Sequence, residues 1–263
     1  MKSNELKIQK KLALAIENHN NKKFQLAEKL YKEILVYNKD HVEANYQLGT
    51  LYSQLQNFKI AKPFLTKAEK LSPNNPNINL HIGNLLLSTG ELVEAINYFE
   101  KAIQVQPNFT LAYFNKGVTL YNQKKYNDAV KCFEKVIEIE PNNINVYNVL
   151  GTIFQEIGEF KKSLSYLKKS LDIAPNNLFV VNTVLNLLKS IQLSNLSESN
   201  SSDLTELFLF LFKKDTIDHN LLFNNAKNLI FFEESKNEIE QLIDTNALLL
   251  NNNLVKKTLK KEL

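Results

Sequence analysis

Residues 76–109 read PNINLHIGNLLLSTGELVEAINYFEKAIQVQPNF. Ile82, Leu86 and Leu87 form one apolar stripe at helical spacing; Ala95, Phe99, Ala102 and Ile103 form a second. Gly90 and Glu91 lie between them, where a turn is expected. Gln106-Pro107-Asn108 closes the stretch, because proline cannot continue a helix. Small residues at Gly83 and Ala95 let two helices approach closely, and Phe99 then fills the space beside them. The reading is a helix-turn-helix hairpin with an apolar face it cannot bury alone. Stacking further hairpins on it buries that face.

The same columns recur along the chain. Pro73, Pro107, Pro141 and Pro175 are each 34 residues apart, and so are Gly49, Gly83, Gly117 and Gly151. Ala27, Ala61, Ala95 and Ala129 keep that step, with Ser163 next. Four residues later stand Tyr31, Leu65, Phe99, Phe133 and Leu167; a further column holds Ile34, Ala68, Ala102, Val136 and Ser170. Five units follow, at 8–41, 42–75, 76–109, 110–143 and 144–177, with a partial sixth at 178–192.

This pattern resembles the tetratricopeptide repeat. The family frame runs aromatic, Leu-Gly, aromatic, Ala, Phe, Ala, Pro. Unit 144–177 shows Tyr147, Leu150-Gly151, Phe154, Ser163, Leu167, Ser170 and Pro175. Unit 110–143 shows Tyr113, Gly117, Leu120, Ala129, Phe133, Val136 and Pro141, and unit 42–75 shows Leu48-Gly49, Tyr52, Ala61, Leu65, Ala68 and Pro73. The first unit is degenerate, with Ala15 for the glycine and Lys39 for the proline. The resemblance implies an all-α, right-handed superhelix, or α-solenoid, over 1–193.

The frame accounts for all six glycines, since Gly90 and Gly158 take the inter-helix turns. None is left for a phosphate-cradling loop. Four of the six prolines close units, and Pro76 fits the first turn of a helix. Pro63 is the misfit: it predicts a kink or a later start for the second helix of its unit.

Beyond the array, residues 194–203 (SNLSESNSSD) read as a polar linker. Residues 204–263 form a C-terminal helical segment, with candidates near 203–214, 219–233 and 235–250 that suit a cap on the array. Lys256, Lys257, Lys260 and Lys261 end it as a solvated helix end or a contact for an acidic partner. The stretch after the array also resembles the connector that follows such arrays in bacterial transferases, methyltransferases among them. That resemblance implies an alternative: the chain is the recognition region of a larger or split transferase.

Composition narrows the function. The chain has 263 residues, 44% apolar and 23% charged, which is enough to bury a core. All 32 basic residues are lysine, so no guanidinium clamp on phosphate or carboxylate exists. A net charge of +4 is weak attraction for nucleic acid, and no partner of that kind is expected. The N-terminus mixes charge with apolar residues, and the longest apolar run, Leu207 to Phe212, is far short of a membrane span. One cysteine, Cys132, excludes a disulfide framework. A cytoplasmic location is expected, without membrane insertion. His19, His41, His81 and His219 lie far apart, and Glu138 and Glu140 read as solvated. No catalytic set, metal site or cofactor motif is recognised, and the expectation is a non-enzymatic, protein-binding scaffold.

The family's first helices line a concave groove. That resemblance assigns partner binding to Tyr46, Gln47, Thr50, His81, Asn84, Phe114, Asn115, Tyr121, Asn122, Asn148 and Thr152. The lining is amide-rich, aromatic and nearly uncharged, which suits an extended, neutral peptide or a protein partner. The lysine, asparagine and arginine set of the chaperone-tail clamp is absent. The column that forms an asparagine ladder in O-linked N-acetylglucosamine transferases reads Ala13, Gln47, His81, Asn115 and Val149, with a single matching rung.

Overall fold

A computed structural model of the chain describes residues 2–174 and 181–184. Ten α-helices fill the first span: α1 (Lys2–Asn20), α2 (Phe24–Tyr37), α3 (Val42–Gln54), α4 (Phe58–Leu71), α5 (Pro76–Thr89), α6 (Leu92–Val105), α7 (Thr110–Asn122), α8 (Tyr126–Ile139), α9 (Ile144–Glu156) and α10 (Phe160–Ile173). There is no strand among the described residues. Residues 181–184 are also helical, with Val181 and Val184 buried. The rest of the expected sixth unit, the linker 194–203 and the segment 204–263 lie outside the described residues.

The chain divides into two compact units, Met1–Pro141 and Asn142–Leu263. In the first, α1 pairs with α2, α3 with α4, α5 with α6 and α7 with α8. Each hairpin then packs on the next through α2 against α3, α4 against α5 and α6 against α7. In the second unit α9 pairs with α10.

One turn geometry joins the two helices of every hairpin. Lys22, Gln56, Gly90, Lys124 and Gly158 all have positive φ, between 57° and 83°. The next residue returns its N–H to the carbonyl five positions back: Lys23 to Asn18, Asn57 to Tyr52, Glu91 to Leu86, Lys125 to Leu120 and Glu159 to Phe154, at 2.8–2.9 Å. This is a Schellman closure, which satisfies carbonyls the helix end leaves open. Glycine enters that conformation freely; lysine and glutamine hold it because the hairpin around them does.

The sequence columns are the core. Ala27, Ala61, Ala95, Ala129 and Ser163 are fully buried, and so are Tyr31, Phe99, Phe133 and Leu167, with Leu65 nearly so. Ser163 is tolerated in an alanine column because its hydroxyl donates to the Gly151 carbonyl at 2.7 Å. The glycine column marks close approach. A Cβ on Gly83 would sit 2.5 Å from Phe99 Cε1, and one on Gly151 would sit 2.6 Å from Leu167 Cδ2. Asn45 and Asn79 stand where the frame has an aromatic. Asn45 Nδ2 donates to the Lys39 and His41 carbonyls, and Asn79 Nδ2 to the Pro73 carbonyl, so each ties the preceding loop to its helix.

Pro63 does not delay its helix: α4 begins at Phe58, in register with the other second helices. Its ring lies on the exposed side, where the Lys59 carbonyl that loses its amide partner can be met by water.

Ion pairs decorate the surface. Glu28 accepts from Lys32 and from the Tyr52 hydroxyl, which joins α2 to α3. The Lys32 bond first, then the Tyr52 bond, holds the Glu28 carboxyl below the usual glutamate range. Lysines likewise lower Glu33, Asp40 and Glu91. A carboxylate depressed in the folded state stabilises above its unfolded pKa, and that contribution is lost as pH falls through the folded value. The urea midpoint should therefore drop from about pH 4 downward, and Glu28→Gln should make that drop shallower. A midpoint flat from about pH 6 to pH 3 contradicts these pairs.

Candidate functional site

In the first unit, three side-chain bridges tie successive first helices together. His19 Nε2 lies 3.0 Å from Gln54 Oε1, linking α1 to α3. The amide oxygen only accepts, so Nε2–H donates and Nδ1 is left to accept from the Tyr31 hydroxyl at 3.4 Å. Tyr46 Oη lies 3.1 Å from His81 Nδ1, linking α3 to α5, with the rings edge to face at 5.2 Å. His81 Nδ1 also lies 2.9 Å from the Asn77 carbonyl, which can only accept, so Nδ1 carries the proton and Nε2 is the ring's acceptor. Burial pushes the His81 pKa down, against the opposing pull of the Asn77 carbonyl. Burial, then Glu43, raises the Tyr46 phenol to about 12. The third bridge is Asn115 Nδ2 donating to Asn84 Oδ1 at 2.7 Å, linking α5 to α7.

The assigned residues therefore divide. Tyr46, His81, Asn84 and Asn115 meet in pairs on one face, half-buried. Gln47 sits beside them and donates to Glu43 at 2.7 Å. Thr50 is only 4% exposed, with its hydroxyl returned to the Gln47 carbonyl, so it supports the face from beneath. Phe114 rests edge-on against Phe133 at 5.6 Å, and Tyr121 lies 5.8 Å from Tyr126. Asn122 is exposed. In the second unit, Asn148 is 4% exposed, and neither of its amide atoms has a hydrogen-bond partner among the described residues. Thr152 donates to the Asn148 carbonyl at 3.0 Å. The bridge of His19 and Gln54 was missed as a pair. Its signal is a separation of 35, one more than the repeat, which Tyr46 and His81 share.

Charge is nearly missing from this face. α5 carries no acidic or lysine residue, α3 carries Glu43 alone, and α7 carries Lys116 alone, which is paired with Glu100 at 2.7 Å. The second helices carry the lysines and acids instead, as in α4 and α8.

Asn84 and Asn115 allow a direct check of the third bridge. Asn115→Ala alone leaves the Asn84 oxygen without its donor and should cost about 1–2 kcal/mol. The double variant Asn84→Ala, Asn115→Ala removes both partners and should cost less than the sum of the singles. Urea melts of the four proteins measure this; additive costs would mean the bond contributes nothing.

Cys132 is 7% exposed, and burial pushes its thiol pKa up, which suits packing and disfavours reactivity. Among the described residues no cluster of three His, Cys, Asp or Glu side chains could hold a metal, and no helix is long and apolar enough to cross a membrane.

Stacked antiparallel hairpins of fixed length, with a shared face of first helices, define a helical repeat protein. Three family models match within the array: tetratricopeptide repeat at 110–143, TPR repeat at 83–124, and tetratricopeptide repeat at both 42–75 and 144–177. The chain is a tetratricopeptide-repeat protein. No curated protein matches it in sequence. Among solved structures it resembles YrrB, described as a TPR protein with an unusual peptide-binding site, at 23% identity over 65% of this chain and 89% of that one, with a TM-score of 0.57. It also resembles MamA of Desulfovibrio magneticus, at 19% identity over 65% and 97%, with a TM-score of 0.60. A third is the thermophilic TPR protein TTC0263 of Thermus thermophilus, at 17% identity over 69% and 98%, with a TM-score of 0.54. These likenesses establish the fold.

Proposed function

We propose that this chain is a non-enzymatic scaffold that binds a polypeptide partner on the face formed by α3, α5 and α7, the concave face of the family. The observation that carries the reading is the lack of charge on that face, beside second helices rich in lysine and acid. A surface kept neutral and half-apolar suits a partner segment that is itself neutral, since a charge buried there would go unpaired. The peptide-binding site described for YrrB is in keeping with this use of the fold.

The bridges refine the expected contact. Asn84 and Asn115 have already spent one end of their amides on each other, and Gln47 has spent one on Glu43. Fewer groups remain to pair with an extended main chain than the count of amides implies. Recognition rests more on shape and apolar area.

Placing charge on the face tests the proposal. Ser88 on α5 and Asn122 on α7 are exposed, and Val93 on α6 is an exposed control. A partner captured by the full chain should bind about tenfold or more weakly to Ser88→Asp, Asn122→Asp, and unchanged to Val93→Asp. The opposite pattern would place binding on the second helices.

A further inference from the structure

α4 carries a charge that its counterparts do not. Lys59, Lys62, Lys67 and Lys70 share one side of the helix with Pro63 and Thr66, within an arc of about 140°. No acid stands among these six positions. One repeat earlier, the same positions on α2 hold Glu28 and Glu33 beside Lys29 and Lys32. On α6 they hold Glu100 beside Lys101, and on α8 Glu134 and Glu138 beside Lys131 and Lys135. The other second helices of the first unit thus balance their charge on this side, and α4 does not. Glu69, the one acid of α4, turns aside and pairs with Lys101 of α6 at 3.5 Å. Like charges gathered on one face repel, so an opposite charge brought to it is favoured.

Two of the four lysines are met from neighbouring loops, Lys62 by Glu91 at 3.0 Å and Lys67 by Asp40 at 2.9 Å. These are water-exposed pairs, which contribute little and exchange readily. Lys59 and Lys70 are exposed, and among the described residues neither is ion-paired. They stand about 16 Å apart along the helix axis. The six residues line an open hollow of about 650 Å³. A second hollow of about 380 Å³ adjoins it, since Lys62 and Thr66 line both. Ile82, Leu85, Leu86, Tyr98 and Glu94 complete the second, which is therefore mostly apolar.

Charge and hollow together select the occupant. Nucleic acid and anionic bilayers present charge densely and would bring phosphates onto the Asp40 and Glu91 carboxylates that flank the face. A polypeptide can space its carboxylates to meet Lys59 and Lys70 and pass those acids by. It can also place an apolar side chain in the second hollow, where Glu94 disfavours a carboxylate. Lysine suits this use, being a point charge on a flexible stem that follows separated carboxylates.

We infer that the lysine face of α4 docks an acidic polypeptide segment of a partner protein, with an apolar residue of that segment in the hollow between α4, α5 and α6. This surface lies on a second helix, and the inference stands apart from the proposed use of the first-helix face.

A random library of peptides about 15 residues long, enough to span Lys59 to Lys70, tests it. The library is displayed, depleted on the variant Lys59→Glu, Lys70→Glu and then selected on the full wild-type chain. Peptides retained are measured against the wild type, Lys59→Gln, Lys70→Gln, and the control Lys131→Gln, Lys135→Gln, which removes equal charge from α8. Circular dichroism of each variant verifies that its helices are intact. The peptides should carry several Asp or Glu residues and a large apolar one. They should bind Lys59→Gln, Lys70→Gln about tenfold more weakly and the α8 control unchanged. Their affinity should also fall as salt rises from about 0.05 to 0.5 M. A pool left empty by the depletion, or equal losses with both pairs of substitutions, would overturn the site. Peptides that keep their affinity when their acids are changed to amides would overturn recognition by charge. Binding of a 20-nucleotide DNA strand or of phosphatidylserine vesicles that needs Lys59 and Lys70, with no peptide that does, would overturn the polypeptide as ligand.

Discussion

Phe99→Ala should destabilise the array by about 3–5 kcal/mol, the cost of deleting a fully buried ring from a packed interior. Phe99 has no exposure and lies against Gly83, which has no side chain to fill the gap. Tyr31, Phe133 and Leu167 in the same column are equally sealed. Each hairpin of a repeat array leans on its neighbours, so the loss should spread to both sides of α5 and α6. Urea unfolding followed by circular dichroism should show a lower midpoint, and amide exchange in α5 and α6 should accelerate. A midpoint shift worth under about 1 kcal/mol would mean the ring is loosely packed.

Gly83→Val should be comparably damaging for the opposite reason. The first side-chain carbon alone would lie 2.5 Å from Phe99 Cε1 and 2.8 Å from Cδ1, and valine adds two more. The helices must part or the ring must leave its rotamer, at about 3 kcal/mol. Valine offers little helical propensity over glycine to offset this. The two changes relieve each other. With the ring gone, the valine introduced at position 83 enters the space it left. Gly83→Val, Phe99→Ala should therefore cost less than the sum of the singles by about 1–2 kcal/mol. Strict additivity would show that the residues do not touch.

These contacts were legible in advance because a repeat displays them along its whole length. A glycine, an alanine and a large apolar residue recurring at one period can be read without coordinates, since each hairpin meets the same steric demand. The left-handed turn was legible at Gly90 and Gly158 but hidden at Lys22, Gln56 and Lys124, whose side chains carry no turn signal. Of the kink or later start that Pro63 predicted, the later start does not occur. Proline forbids a hydrogen bond, yet on the exposed side of α4 the orphaned carbonyl meets water and the helix starts in register.

The candidate site was read less well than the fold. Comparing like positions cannot reveal His19 with Gln54 or Tyr46 with His81, because the partners sit one position out of step. Asn84 and Asn115 are three short of the period. Thr50 belongs to the lining by its place in the repeat, but it points its hydroxyl back to its own helix and is buried. Position in a repeat identifies the side of the helix; the neighbouring helix decides how much of it water reaches.

The central claim is that α3, α5 and α7 present the partner-binding face. Amide hydrogen exchange of the full chain, with and without a bound partner, tests it most directly. Protection should rise in α5 and α7 while α6 and α8 exchange as before. Protection confined to α6 and α8 would contradict it.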